Sequence, residues 1–165
     1  MTPSSRVSRL GITGHQKLPA PTARLVNAAL RELLVPHEAS RLVGVSCLCD
    51  GADQLFAQAI LDRGGTLEVV VPAKEYRDSL DPASHAPYDA LIAQAQDVQT
   101  LPFKESTEQA HLAGGQAVVD RVDRLVAVWD GKPARGHGGT ADVVAYARSR
   151  GVPVEVVWPP GASRH

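Results

Sequence analysis

Short apolar runs alternate with segments of helical periodicity along nearly all of the 165 residues, and this alternation constrains the fold most strongly. Several of the runs end at glycine or proline, as strands do when they meet a loop. Strands that are mostly apolar are typical of a parallel sheet that is covered on both faces. Strands are predicted at 9–13, 41–48, 67–71, 98–101, 125–129 and 154–158, and helices at 21–34, 52–63, 74–80, 89–96, 105–122 and 140–150.

This order predicts an α/β fold, namely a doubly wound, mostly parallel sheet with helices on both faces, which is a Rossmann-like architecture. The length fits a single domain over residues 1–165, with a core from about residue 7 to about residue 158 and loose tails at both ends. In such sheets the ligand lies beyond the carboxyl ends of the strands, near the point where the strand order reverses. The loops that follow the strands are therefore expected to converge on one crevice.

Composition narrows the range of functions. The net charge of −1 and an aromatic content of 4% disfavour a general nucleic-acid binder with a base-stacking surface. Cys47 and Cys49 are predicted to be reduced thiols, because two thiols alone cannot complete a zinc site, and no histidine spacing indicates a metal. No apolar run reaches 18 residues, so a cytoplasmic protein that does not interact with membranes is expected.

The glycine-rich stretch from Gly136 to Thr140 follows a predicted strand and opens a predicted helix. A helix N-terminus has unpaired N–H groups and a partial positive charge, and glycine lets the backbone approach a ligand closely. The N–H groups of Gly138, Gly139 and Thr140 are therefore predicted to bind an anion, with the Thr140 hydroxyl as a further donor. The alternative is a glycine turn in which Thr140 only caps the helix. The stretch is not a Walker A loop, because no Gly-Lys-Ser/Thr sequence occurs.

Two other loops supply candidate binding residues. Thr13, Gly14 and His15 follow the first strand, where they would contact a phosphate or a base edge or would simply form a tight turn. The second helix opens with a group that would either bind ribose hydroxyls or cap the helix and complement its dipole. This group consists of Asp50, Gly51 and Asp53.

Two further residues have both a functional and a structural interpretation. Asp142 is predicted in the first turn of the last long helix, where it would act on a sugar or a water molecule or would only complement the helix dipole. Trp129 ends the most hydrophobic strand and would either flank a base or belong to the core.

Together these motifs resemble the Smf/DprA–LOG (SLOG) superfamily, and most closely its small stand-alone bacterial domains of the YspA and YpsA type. The resemblance covers about residue 7 to about residue 158 and depends on the order and spacing of short motifs. The motifs are Ile12-Thr13-Gly14-His15, Asp50-Gly51-Ala52-Asp53, Ala127-Val128-Trp129-Asp130 and Gly138-Gly139-Thr140-Ala141-Asp142.

The resemblance implies a Rossmann-like fold that binds nucleotides or nucleotide derivatives at the glycine-rich loop. Some members, the LOG enzymes, cleave the base from a nucleoside monophosphate and carry a glutamate three residues after the motif threonine. The similar nucleoside deoxyribosyltransferases place their nucleophilic glutamate at the same position. In this chain that position is Val143, which cannot ionise. The resemblance therefore favours binding over cleavage.

The main hypothesis is a domain that binds a phosphorylated nucleotide or nucleoside derivative, with no other cofactor expected. One alternative is an enzyme of the N-glycosidic bond that uses Asp142, or a carboxylate from another loop, as its catalytic group. A second alternative is a DprA-like binder of single-stranded DNA, with a local basic groove. Analogy with the family also suggests a homodimer or a higher homo-oligomer. The groove would use Arg121, Arg124, Lys132, Arg135 and Arg148.

Overall fold

A six-stranded parallel sheet forms the centre of the protein, whose computed structural model describes residues 7–133 and 139–165. The strand order is β4-β3-β2-β1-β5-β6, and each neighbouring pair is parallel. The predicted mostly parallel sheet is therefore confirmed. The strands are β1 (Ser8–Gly14), β2 (Leu42–Ser46), β3 (Thr66–Val71), β4 (Asp97–Thr100), β5 (Arg124–Val128) and β6 (Val154–Val157).

Six α-helices lie in the described residues, each close to a predicted helix, with ends displaced by a few residues. Two short 3-10 turns, Ala39–Arg41 and Pro82–Ser84, complete the regular structure there. The helices are α1 (Ala20–Leu34), α2 (Ala52–Asp62), α3 (Tyr76–Ser79), α4 (His85–Gln94), α5 (Glu108–Val119) and α6 (Thr140–Ser149).

Both faces of the sheet are covered, which explains why its central strands are apolar throughout. Successive side chains of a strand point to opposite faces. In β1, Leu10 and Ile12 pack in one cluster with α1 and α2. Between them, Gly11 faces Val118 of α5 on the opposite side of the sheet. A strand with a helix layer on each side has no solvent-facing residues in its centre, so polar alternation is absent.

The strand order reverses between β1 and β5. From β1 the chain proceeds outward through β2, β3 and β4, then crosses to β5 on the other side of β1. At the carboxyl ends, Gly14 is in register with Val128. A Cβ atom at Gly14 would lie 2.6 Å from the Cβ of Ala52 and 2.9 Å from that of Val128, so only glycine fits without movement. This close approach brings α2 against the ends of β1 and β5.

The C-terminal segment is held against α1, whereas a loose tail was expected. The backbone N–H of Ser163 donates to Oγ1 of Thr22 at 2.9 Å, and that hydroxyl donates to the carbonyl of Ser163 at 2.6 Å. The expectation was wrong because it relied on sequence position and did not account for the hydrogen bonds of the backbone. The expected N-terminal tail, residues 1–6, lies outside the described residues. Within those that are described, no helix has the length and apolar character needed to cross a membrane.

Candidate functional site

A crevice of about 470 Å³ lies at the carboxyl ends of β1 and β5, where the strand order reverses. Seven predicted site residues line it, namely Thr13, Gly14, His15, Asp53, Trp129, Gly139 and Thr140. The described residues that line it do not include Asp50, Gly51 or Asp142. Gly138 lies outside the described residues.

His15 connects the ends of β1 and β5. Its backbone N–H donates to the carbonyl of Val128 at 3.1 Å, and its Nε2 accepts the backbone N–H of Asp130 at 3.1 Å. Burial lowers the pKa of His15, the charge of Arg164 lowers it further, and Asp130 partly opposes both effects. A ring nitrogen that accepts an N–H carries no proton, so the ring is neutral and its proton is on Nδ1. The 3.3 Å contact between Nε2 and Oδ1 of Asp130 is therefore not an ion pair in this state.

The start of α6 faces the crevice. Gly139 is the N-cap residue and Thr140 is the first residue of the helix, so the alternative that Thr140 acts as the cap is wrong. The N–H groups of Asp142 and Val143 donate to the carbonyl of Gly139 at 3.1 and 3.2 Å. The preceding N–H groups have no acceptor within the helix, by the geometry of a first turn.

Thr140 is the buried polar group of this helix start. Only 8% of its surface is exposed, and it lines the crevice. Its hydroxyl makes no hydrogen bond within residues 7–133 and 139–165. The hydroxyl of threonine can both donate and accept a hydrogen bond. The side chain is therefore available to a ligand in the crevice.

Three cationic side chains also line the crevice, namely those of Lys17, Lys132 and Arg164. They come from the loops after β1 and β5 and from the C-terminal segment. In the part of the chain that the structure describes, none of the three has a carboxylate within ion-pair distance. Unpaired cations close to a helix N-terminus create a local positive potential, although the whole chain is nearly neutral.

Asp53 is the buried carboxyl of the crevice. It belongs to the first turn of α2, only 7% of its surface is exposed, and its Oδ2 accepts the backbone N–H of Cys49 at 3.4 Å. Burial raises its pKa to about 7, the Cys49 N–H opposes this rise, and the charge of Asp50 adds to it. Asp53 is thus protonated in part of the molecules near neutral pH.

Asp53 has uncharged neighbours. Burial, with the charge of Asp53, raises the pKa of the Cys47 and Cys49 thiols, and burial also raises that of the Tyr76 hydroxyl. All three line the crevice and are neutral at physiological pH. In the described residues, no group of three His, Cys, Asp or Glu side chains is suited to hold a metal ion.

Some residues at the start of α2 have a structural role, and others line the crevice. Gly51 is the N-cap, with a φ of 88°, and a Cβ atom there would lie 2.7 Å from the carbonyl oxygen of His15. Glycine is needed at this position for backbone conformation and close approach. The side chain of Asp50 does not cap the helix and instead accepts a weak hydrogen bond from the Cys49 thiol at 3.6 Å.

Val143 lines the crevice and has 3% of its surface exposed. It packs against α5 at Gly115, where a Cβ atom would lie 2.5 Å from Cγ2 of Val143. The position that carries glutamate in the LOG-type motif therefore faces the crevice in this chain, but with an apolar side chain. Asp142, one residue earlier, is half-buried in the first turn of α6.

Several lining residues were not predicted as site residues from the sequence. His111 belongs to the middle of the chain, where the helical pattern is weak. Arg164 reaches the crevice only because the C-terminal segment folds back onto α1. Lys17 had a usable signal, because it follows the first strand-end loop by two residues.

The fold and the crevice define the class of this protein as an α/β domain with a ligand-sized site at the switch point of a parallel sheet. No protein-family model matches the chain, and no curated protein matches it significantly. Solved structures do match. A DNA processing protein A (DprA) from Helicobacter pylori, which binds single-stranded DNA, is 18% identical with a TM-score of 0.68, over 97% of this chain and 70% of that one.

Two other structures are similar over most of their length. A molybdenum cofactor binding protein from Rippkaea orientalis is 16% identical with a TM-score of 0.61, over 93% of this chain and 78% of that one. The protein TM1055 is 16% identical with a TM-score of 0.60, over 90% of this chain and 72% of that one. At these identities the three structures show the fold alone, and the chain therefore has the Rossmann-like α/β fold that the order of its elements predicted.

Proposed function

We propose that the crevice binds a phosphorylated nucleotide or nucleoside derivative, with its phosphate at the N-terminus of α6. The observation that carries this proposal is Thr140, a largely buried residue at a helix start that lines the crevice and whose hydroxyl has no described protein partner. Lys17, Lys132 and Arg164 support an anionic ligand, because they line the same crevice without ion-pair partners. A helix N-terminus and nearby cations together are a common solution for phosphate binding.

The remaining lining residues fit the uncharged part of such a ligand. Trp129 offers an aromatic face, and its Nε1 is already occupied by the carbonyl of Lys132 at 2.9 Å. Asp53 is the predicted sugar-binding carboxylate that lines the crevice, whereas Asp50 and Asp142 are not among the lining residues. A volume of about 470 Å³ is within the range of small-molecule sites.

Calorimetric titration with nucleoside mono-, di- and triphosphates tests the proposal. Thr140→Val keeps the shape of the side chain but removes the hydroxyl, and should weaken binding by about 10-fold or more, since hydrogen bonds to charged groups contribute about 1.5–3 kcal/mol. Gly139→Asp, which places a negative charge at the helix start, should abolish binding. Arg148→Gln in the last turn of α6 is the matched control and should bind as the wild type does. Equal binding by the wild type and Gly139→Asp would refute this site.

A second candidate function is cleavage of the N-glycosidic bond. The observation that favours it is the burial-raised pKa of Asp53, which suits a group that donates a proton to a departing base near neutral pH. Chromatography of the same nucleotides after incubation tests it. Release of free base that is lost in Asp53→Asn but retained in Asp142→Asn would support this function. No release by the wild type would exclude it for the nucleotides tested.

Binding of single-stranded DNA is the property of one of the similar structures, the H. pylori DprA. A short oligonucleotide belongs in the panel for this reason. Binding that weakens steeply with salt, and that Lys132→Gln and Arg164→Gln reduce together, would indicate a phosphate-backbone ligand instead of a free nucleotide.

A further inference from the structure

We propose that His111 is a specificity-determining residue, whose Nδ1 accepts a hydrogen bond from an N–H or O–H group on the uncharged heterocycle of the bound ligand. The proposal rests on the proposed function, since it concerns the other end of the same ligand. A series of hydrogen bonds leads from His111 away from the crevice and determines which ring nitrogen carries the proton.

The series consists of three hydrogen bonds, and the direction of the one farthest from His111 is fixed. Oγ of Ser79 donates to the carbonyl of Tyr76 at 2.6 Å, because a carbonyl can only accept. Oγ of Ser79 also lies 2.8 Å from Oγ of Ser106. A hydroxyl has one proton, and that of Ser79 is already used, so Ser106 must be the donor in this second contact.

The hydroxyl of Ser106 determines the tautomer of the His111 imidazole. Nε2 of His111 lies 2.6 Å from Oγ of Ser106, whose own proton is committed to Ser79. Nε2 must therefore carry a hydrogen and donate it to Ser106. In a neutral imidazole the other nitrogen, Nδ1, then has a free lone pair and acts as an acceptor.

The surroundings of His111 keep the ring neutral. Burial lowers its pKa, and the charge of Glu108, one turn earlier on α5, only partly opposes this effect. The edge-to-face contact with Tyr76, with ring centres 5.6 Å apart, adds no charge. His111 lines the crevice, and in the described part of the chain Nδ1 has no hydrogen-bond donor.

Nearby lining residues extend this uncharged character. Cys47, Cys49 and Tyr76 remain protonated because burial raises the pKa of each. An uncharged, hydrogen-bonding wall suits a neutral heterocycle, while a phosphate is better placed beside Lys17, Lys132 or Arg164. The crevice thus favours a ligand with a charged end and a neutral, donor-bearing ring.

The tautomer can be observed directly by long-range proton–nitrogen NMR on the nitrogen-labelled protein. We expect a protonated Nε2 and an unprotonated Nδ1 for His111. Ser106→Ala removes the acceptor that holds Nε2–H and should produce a mixture of tautomers, whereas Ser106→Thr should restore the single form. Ser149→Ala is the control, because it removes a serine hydroxyl whose hydrogen bond, to the carbonyl of Tyr146 at 2.7 Å, lies outside the series of hydrogen bonds from His111. A protonated Nδ1 in the wild type would overturn the proposal.

Binding measurements test the consequence for the ligand. The probes are nucleoside monophosphates, which carry donor groups on the base, and ribose 5-phosphate, which has no base. His111→Phe keeps an aromatic ring against Tyr76 and should weaken nucleotide binding by about 3- to 10-fold, the usual effect of one hydrogen bond. It should leave the affinity for ribose 5-phosphate unchanged.

The outcomes separate this inference from the proposed function. Equal losses for nucleotides and ribose 5-phosphate, or no loss for either, would refute the role of His111 while leaving the phosphate site intact. A wild-type protein that binds none of the probes would refute both proposals. A selective loss for the nucleotides, together with the expected tautomer, would support both.

Discussion

Replacing Asp53 by asparagine should remove a large part of the change in folding free energy between about pH 5 and about pH 8. The carboxyl is buried in the first turn of α2, and burial raises its pKa from 3.8 to about 7 in the folded protein. The unfolded chain releases this proton near its ordinary pKa, whereas the folded chain retains it. Acid therefore stabilises the fold through this residue, and the stabilisation is lost as the pH rises towards 7.

The size of the effect follows from the interval between the two pKa values. About two pH units between pH 5 and pH 7 contribute at about 1.4 kcal/mol each, which gives about 3 kcal/mol. Asparagine has nearly the same shape and can accept the same backbone N–H from Cys49. We expect Asp53→Asn to gain about 3 kcal/mol of stability relative to the wild type between about pH 5 and about pH 8.

Urea unfolding followed by tryptophan fluorescence measures both proteins at the two pH values. Burial lowers the pKa of His15, His37 and His111. Through these three residues the fold becomes less stable as the pH falls through the ordinary histidine pKa, which is the opposite of the effect of Asp53. The quantity to compare is therefore the difference between wild type and variant at each pH. Asp62→Asn is the control on the same helix, because Gln58 and Arg31 lower the pKa of Asp62 below its ordinary range.

A difference between wild type and Asp53→Asn that changes by less than about 1 kcal/mol between the two pH values would refute the raised pKa of Asp53. The same change in Asp62→Asn would also refute it, because the effect would then arise from removal of any carboxylate on α2.

Two further predictions concern packing around the crevice. Thr22→Val removes both hydrogen bonds to Ser163 and should speed the amide exchange of residues 160–165. Because Arg164 belongs to this segment and lines the crevice, the variant should also bind nucleotides a few-fold more weakly. Thr22→Ser keeps the hydroxyl and should retain the protection from exchange. Unchanged exchange would show that other contacts hold the segment. Gly115→Ala should lower the free energy of unfolding by about 1–3 kcal/mol, because the new methyl group overlaps Val143. Adding Val143→Ala to this variant should restore part of the lost stability. An additive double variant, measured by urea unfolding, would refute this contact.

The fold was predictable because its signals are local and repeated. The apolar pattern of a segment indicates which of its side chains are buried. Residues 125–128 are apolar and buried, and the helical spacing of α1 places Val26, Leu30 and Leu34 in the core. The order of the strands in the sheet is harder to predict from a single sequence, because strand pairing depends on contacts between distant segments. The rule for ligand sites in parallel sheets nevertheless selected the loops after β1 and β5, and residues of both loops line the crevice.

The site was less predictable where it depends on contacts between distant segments. His111 lies on a helix with a weak apolar stripe, and its contacts with Ser106 and Tyr76 join segments that are distant in the sequence or belong to loops. Arg164 enters the crevice through the folded-back C-terminal segment. The sequence left Asp53 with two interpretations, sugar binding and dipole compensation, and its burial became visible only in the folded structure. The predicted oligomer stays a prediction.

Asp53 also determines whether the crevice can catalyse a reaction as well as bind a ligand. Among the described residues that line it, Asp53 is the sole acidic side chain, and Val143 occupies the position of the glutamate in the LOG-type motif. Cleavage of an N-glycosidic bond needs a group that gives a proton to the base or activates the attacking nucleophile. A carboxyl with a pKa of about 7 can donate a proton, but the same protonation makes it a poor nucleophile. The stability difference measured for Asp53→Asn therefore also tests the chemistry: a normal pKa would remove the basis for an acid catalyst and leave the binding function alone.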